Sequence, residues 1–345
     1  MKTVSLGSVL SLLCVSVSFA MSVSAEEITF VSQGGVYQEA QTKAILDPAA
    51  KRLNITIKQD SVPDALPMVK AQGSAGKPVW DVIDTPPSNC IRGGNEGLIE
   101  KLDLSKMPNV QAMPEAYRTP YSVAYEFYSS VLGYNTKTLK KVPQSWTDFW
   151  NVKDFPGTRS LRNDPMGTLE AALLSDGVPR DKLYPLDVDR AYKRLEQIKP
   201  DIAVWWSSGG QSAQLLNDGE VDMLMIWNGR ASAVRKDNPD VAFTYNDGIL
   251  QNTQLCILKG APNYATAVKF VNEALSPDLQ ANLPLYIDYG PGNPAAFSTG
   301  KLTAERAKEL PSSPDNAAKQ ALMSEEWWSS PAGIAAKDRW LKFVQ

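Results

Sequence analysis

An α/β fold built from two strand–helix units is predicted by three observations. Short β-rich runs alternate with helical runs along the chain, a pattern of mostly parallel sheets flanked by helices. The length, 345 residues, exceeds what one core usually holds and is comfortable for two domains. Near residue 120 the rhythm changes and a second strand–helix series begins.

The elements follow in order. The first 25 residues read as a secretory leader: Lys2 gives the positive start, residues 4–20 are small and apolar, and Val23-Ser24-Ala25 fits cleavage after Ala25. Cys14 falls inside its apolar stretch. Residues 27–31 (EITFV) alternate as a strand, Ser32-Gln33-Gly34-Gly35 turns, and a helix begins near Tyr37. Residues 54–58 form a second strand, a helix carries Leu66, Met68 and Val69, and residues 80–84 (WDVID) form a third strand stopped by Thr85-Pro86-Pro87. Residues 121–125 and 130–134 read as two separate extended runs. Ser145 is expected to cap a short helix, SWTDFW, with Asp148 completing a capping-box variant. After Phe155-Pro156-Gly157 comes a strand at 159–161, then a helix opening at Asp164-Pro165. The second unit runs to about Tyr245. A strand at 253–258 (TQLCIL) and a helix at 264–275 follow. In the helical C-terminal end, Trp327, Trp328 and Trp340 are read as packing residues.

Composition excludes several functions. Lys+Arg number 35 against 38 acidic residues, and losing Lys2 with the leader shifts the net charge from −3 to −4. No basic tract suggests nucleic acid, and the 320 residues after the leader hold no stretch apolar enough to span a bilayer. There is no histidine, which removes Ser-His-Asp and Cys-His catalysis and most zinc sites. Glu170, Asp164 and Asp84 are the carboxylates a hydrolase would need, but no motif fixes a pair of them, and no enzyme is expected. Neither a cofactor nor a metal site is expected. Outside the leader only Cys90 and Cys256 remain. In an exported chain such a pair suggests one disulfide, the alternative being two buried thiols.

The most informative stretch is residues 205–230, WWSSGGQSAQLLNDGEVDMLMIWNGR. A strand ends at Trp205-Trp206. The turn Ser207-Ser208-Gly209-Gly210 enters a helix through Gln211, a place where backbone N–H groups either receive an anion or form an ordinary cap. Strand alternation turns either Trp205 or Trp206 to the crevice, without saying which. A buried strand, 221–227, then delivers Trp227, Asn228 and Arg230 to the same sheet edge. Aromatic walls and an arginine fork suit a ligand with apolar faces and a carboxylate-like end.

The order of SWTDFW, FPG, GEVDMLMIWNGR, TQLCILKGAPN, YATAVKFVNEAL and YGPGNP resembles the solute-binding proteins of ABC importers, in the spermidine/putrescine-binding branch. WNGR is most similar to the γ-aminobutyrate-binding members. The resemblance implies a type II periplasmic binding protein: a leader at 1–25, a first lobe at 26–130, a second at 131–252, a return segment at 253–296, and a C-terminal helical segment at 297–345 on the second lobe. It implies a monomer in the periplasm that holds a small solute in the interlobe cleft and presents it to permease subunits in the membrane. Carried over residue by residue, ligand contacts fall on Tyr37, Thr85, Asp164, Trp227, Thr253 and Tyr289, beside Trp205, Trp206, Ser207 and Arg230. Arg162, Gln211 and Gln251 are second candidates. Arg162 is read either as an anion partner or as a surface ion pair, and Asp164 either as a ligand group or as a helix cap.

The departures matter. Where polyamine binders place acids and an aromatic, this chain has Gly167, Gln251 and Thr253. Buried ammonium groups need counter-charges. The expected ligand is therefore a carboxylate-bearing solute, zwitterionic and γ-aminobutyrate-like, with Arg230 on its carboxylate and Asp164 or Asp84 available for its amine. A polyamine is the alternative.

Overall fold

The computed structural model of the protein describes residues 26–344; the leader, its cleavage point and Cys14 lie outside the described residues. The strands that position the site are β1 (Glu26–Ser32), β2 (Ile55–Ser61), β3 (Val82–Thr85), β4 (Val123–Asn135), β5 (Arg159–Arg162), β6 (Ile202–Trp206), β7 (Met223–Trp227) and β8 (Val241–Ile257). They join one sheet in the order β2-β1-β3-β8-β4-β7-β5-β6. The helices that matter below are α1 (Gly35–Gln41), α2 (Pro87–Asn95), α3 (Pro165–Ser175), α4 (Gly209–Asn217), α5 (Asn228–Asp237), α6 (Tyr264–Ala274) and α7 (Pro331–Phe343).

The expected parallel strands are present as two groups. β1 pairs in parallel with β2 and β3, and β5 pairs in parallel with β6 and β7. Between the groups run β4 and β8, antiparallel to each other and to β3 and β7. The runs at 121–125 and 130–134 are thus one strand of 13 residues, every one of them buried. Likewise the run at 253–258 is the end of a 17-residue strand. Burial on both faces removes the polar alternation that would have marked their continuity.

Two large cores sit on this sheet. Ile28, Phe30, Ala44, Val82, Phe270 and Val271 belong to one, Leu161, Leu169, Trp206, Leu224 and Ile226 to the other. β4 belongs to both: Val123 and Tyr125 pack in the first, Val131 and Leu132 in the second. β8 does the same, with Leu255 and Ile257 in the first and Val241 and Ile249 in the second. Their ladder is broken within the second core, where Ser130 faces Ile249 but Leu132 faces Thr244. Three extra β8 residues bulge there, and Asp247 within them takes φ +56°, a turn conformation that Asp tolerates better than most residues.

Toward the C-terminus, Leu302 and Leu310 pack with Ala281 and Ala296, while Trp328, Ala336 and Trp340 join the second core. The helix at Trp146–Trp150 forms, but Ser145 makes no side-chain cap bond. Asp148 Oδ2 accepts instead from the Gln144 N–H at 2.7 Å, one residue before the expected cap.

Cys90 on α2 and Cys256 on β8 are bonded, with Cα atoms 6.1 Å apart and a sequence separation of 166. Both are fully buried beside Val31 and Trp80. A cross-link over so long a loop restricts the unfolded chain strongly. Reduction should lower the melting temperature by about 3–6 °C, as a disulfide worth about 2–4 kcal/mol would in a chain of this size. Calorimetry with and without reductant tests this, and an unchanged midpoint would count against a stabilising bridge.

Candidate functional site

Two adjoining cavities open where β3, β5, β6 and β7 end. The larger, about 650 Å³, is lined by Gln33, Gly34 and Gly35 from one side and by Ser207–Gly210, Trp227 and Arg230 from the other. The smaller, about 330 Å³, is lined by Pro86, Tyr128, Asp164, Gln251, Lys337 and Trp340. Gln33, Pro63, Arg162 and Trp227 line both. These volumes suit a small organic solute.

Arg230 lies one turn into α5 and is 5% exposed. Its guanidinium occupies a slot between two glycines. A Cβ on Gly35 would sit 3.3 Å from Arg230 Nη1, and one on Gly209 would sit 2.8 Å from Nε. Gly35 also takes φ +59°, where side chains are strained. The guanidinium makes one long bond, to the Gly34 carbonyl at 3.4 Å, and its Nε has no acceptor. Among the described residues it makes no ion pair.

Arg162, at the end of β5, is engaged differently. Its Nη2 pairs with Asp164 at 3.1 Å, and its guanidinium carbon lies 5.1 Å from the Trp227 ring centre. Asp164 also caps α3, accepting from the Met166 N–H at 2.8 Å. The ion-pair reading of Arg162 and the cap reading of Asp164 both hold, and both residues stand on the cavity wall.

Neither Trp205 nor Trp206 lines a cavity. Trp206 is fully buried, donates to the Met225 carbonyl at 2.8 Å and packs edge-on against Trp227. Trp205 packs on Trp340 and Phe343. The crevice aromatic is Trp227, whose indole N–H is unpartnered. Trp340, read as packing, both packs and lines the smaller cavity, donating to Asn163 Oδ1 at 3.0 Å.

The α4 turn spends part of its polarity on itself. Ser208 Oγ accepts from the Gln211 N–H at 3.2 Å, and the Gln211 side chain accepts from the Ser207 N–H at 2.8 Å. Gln211 is thus a capping residue, while Ser207 lines the larger cavity. Thr85 is also engaged locally, accepting from Asn89 Nδ2 at 2.9 Å. Gln251 lines the smaller cavity and donates to Ser130 Oγ at 2.7 Å.

Tyr37, Thr253 and Tyr289 lie behind the walls. Tyr289 packs against Tyr37 and Tyr128, with ring centres 5.5 and 5.8 Å away. The Tyr37 hydroxyl donates to Asp84 Oδ2 at 2.6 Å. Ser32 and Gln41 donate to the same oxygen. Burial holds the Asp84 carboxyl above the usual carboxylate range, against the pull of these donors. Glu126, buried nearby on β4, is pushed well up by burial and then by the charge of Asp84. Sequence reading missed Glu126, because one acid in a wholly buried strand breaks no pattern that marks a site. It also missed Gln33, Pro63 and Lys337, which no motif flags.

With this geometry in hand, comparison with known proteins is direct. The chain is 34% identical to the γ-aminobutyric acid-binding protein of Pseudomonas aeruginosa over 325 residues, 92% of this chain and 91% of that protein. Its structure superposes on an ABC transporter substrate-binding protein from Bradyrhizobium japonicum at a TM-score of 0.90 and 70% identity, covering 93% of this chain and all of that one. It superposes on the binding protein MotA of A. tumefaciens, solved in complex with glucopine, at 0.86 and 36% identity, over 92% of this chain and all of that one. These relatives are transport binding proteins rather than enzymes. The family model for bacterial extracellular solute-binding proteins matches residues 44–311, and the chain belongs to that family.

Proposed function

We propose that this ABC-transporter solute-binding protein captures a small carboxylate-bearing solute, zwitterionic and γ-aminobutyrate-like. The observation that carries the reading is Arg230. A guanidinium held in a slot, nearly buried and without an acid partner is costly until an anion supplies the counter-charge. A ligand carboxylate in the larger cavity would supply it through paired N–H···O bonds. Trp227, steadied by Trp206 behind it and by Arg162 over its ring, offers the apolar wall. The resemblance to a γ-aminobutyric acid-binding protein supports the same class. Arg162 and Arg230 both line the larger cavity, which disfavours a polyamine there.

Capture works by closure. The two cores are the two lobes, with 26–130 and 253–296 in the first and 131–252 in the second. β4 and β8 flex where they pass from one core to the other, between Tyr128 and Val131 and between Ile249 and Leu255, and a ligand touching both sides favours the closed form. The protein acts as a monomer in the periplasm, exported by a leader cut after Ala25, and hands its ligand to permease subunits in the inner membrane. Among the described residues, no helix is long and apolar enough to cross a membrane.

A thermal-shift panel of ω- and α-amino acids, betaines, plain carboxylates and polyamines tests the reading, since a ligand that binds the native state raises the melting temperature. Carboxylate-bearing hits are expected, and hits confined to polyamines would overturn it. Arg230→Ala should weaken a carboxylate hit about 30- to 1000-fold, as loss of one partner of a buried charge pair does, without unfolding the protein. Unchanged affinity would remove Arg230 from the site. The tryptophans should separate: Trp206→Ala should cost about 3–5 kcal/mol of stability, while Trp227→Ala should chiefly weaken binding. Denaturant titration and calorimetric binding distinguish the two, and a purely structural effect of Trp227→Ala would overturn its place on the wall.

A further inference from the structure

Behind Arg230 the structure gathers polar atoms that have no partners. Asp84 Oδ2 is saturated by three donors, but Oδ1 meets none. Glu126 Oε2, Gln41 Oε1, Thr253 Oγ1 and the Tyr125 hydroxyl likewise make no hydrogen bond of good geometry, although Thr253 lies close enough to Asp84, and Tyr37 to Glu126, to favour the ionised carboxylates. All five residues are at least nine-tenths buried. They form one cluster. Gln41 bonds Asp84 directly. The Tyr37 hydroxyl links Asp84 to the neighbourhood of Glu126. Thr253 faces Glu126 across the β4–β8 ladder. The charge facing it is Arg230, whose own Nε is unpartnered.

Buried polar groups are ordinarily satisfied, and a concentration of exceptions needs a reason. Three of these atoms, Asp84 Oδ1, Glu126 Oε2 and Gln41 Oε1, are acceptors. A primary ammonium carries three N–H donors and needs acceptors and a counter-charge. Resting on the reading of Arg230 as the carboxylate partner, we infer that Asp84 and Glu126, with Gln41 and Thr253, form the subsite for the ligand's ammonium group. This places the amine contact on the first core, not on Asp164, which is already paired with Arg162. A zwitterion then satisfies both buried charges: its carboxylate takes the guanidinium, and its ammonium takes the buried acids. A plain carboxylate would leave the acids unsatisfied, and a polyamine would leave Arg230 unsatisfied.

The inference has a proton signature. Burial favours the protonated Glu126 in the ligand-free protein, with Asp84 adding to the effect while Tyr37 and Arg230 oppose it. An ammonium favours the ionised form. Binding should therefore release up to one proton, and affinity should fall as pH is lowered.

The test is isothermal titration of the mature protein with γ-aminobutyrate and other ω- and α-amino acids, each paired with the carboxylate lacking the amine. Titrations run in buffers of different ionisation enthalpy to count protons. The amine-bearing member of a binding pair should bind about 100-fold tighter or better, with proton release. Glu126→Gln replaces a neutral acid with a neutral amide and should fold. It should remove most of that discrimination and the proton release, while the plain carboxylate still binds. Asp84→Asn and Thr253→Val, checked for native melting, should reduce discrimination in the same direction. Full discrimination retained in Glu126→Gln and Asp84→Asn, or equal wild-type binding of both members without proton release, would overturn the subsite and leave Arg230 standing. Loss of both members in Arg230→Ala is expected. If no pair binds the wild type, the carboxylate reading falls, and the subsite with it.

Discussion

The molecule depends on the β4–β8 ladder. These two strands carry residues of both large cores and pair antiparallel with each other from one core into the other. Every other strand group attaches to one side: β3 to β8 and β7 to β4. Because β3, β5, β6 and β7 end near this junction, the loops they feed converge there. The position of the cavities is thus fixed by sheet order, while the bulge near Asp247 is tied to its surroundings by Trp146, Arg180 and Lys319.

Buried guanidinium groups show what is special about the site. Arg159 is more deeply buried than Arg230, yet it donates to the backbone carbonyls of Phe149, Phe155 and Gly157. Its need is met within the fold, and its role is structural. Arg162 is met by Asp164 and an aromatic face. Arg230 alone of the three has neither a set of carbonyls nor an acid partner. Its unmet need, rather than its charge, is what marks it as the candidate binding residue among the three.

Much of this was legible in sequence, for identifiable reasons. Alternation gave the strands of each parallel group, and exported context gave the Cys90–Cys256 pair. The run WNGR marked Trp227 and Arg230, because a strand that ends in an aromatic and an arginine has nowhere to put them except its edge. The continuity of β4 and β8 was hidden, since strands buried on both faces show no period. The fate of Trp205 and Trp206 was hidden for a different reason. Alternation assigns opposite faces, but the C-terminal helix α7 covers one face and the core fills the other, so neither face is crevice. Gln33, Pro63 and Lys337 come from distant segments that only tertiary folding brings together.

The glycines close the argument. Gly34-Gly35 and Gly209-Gly210 lie on opposite sides of the larger cavity, and both read as plain turns in sequence. In the structure, Gly35 and Gly209 are the positions where a Cβ would press on Arg230, and at Gly209 it would press on Trp227 as well. The absence of side chains there lets backbone from both sides approach one guanidinium. Gly35 and Gly209 thus bring backbone from both sides of the cavity against one guanidinium, so that under the proposed reading a carboxylate engaging Arg230 bears on both walls at once.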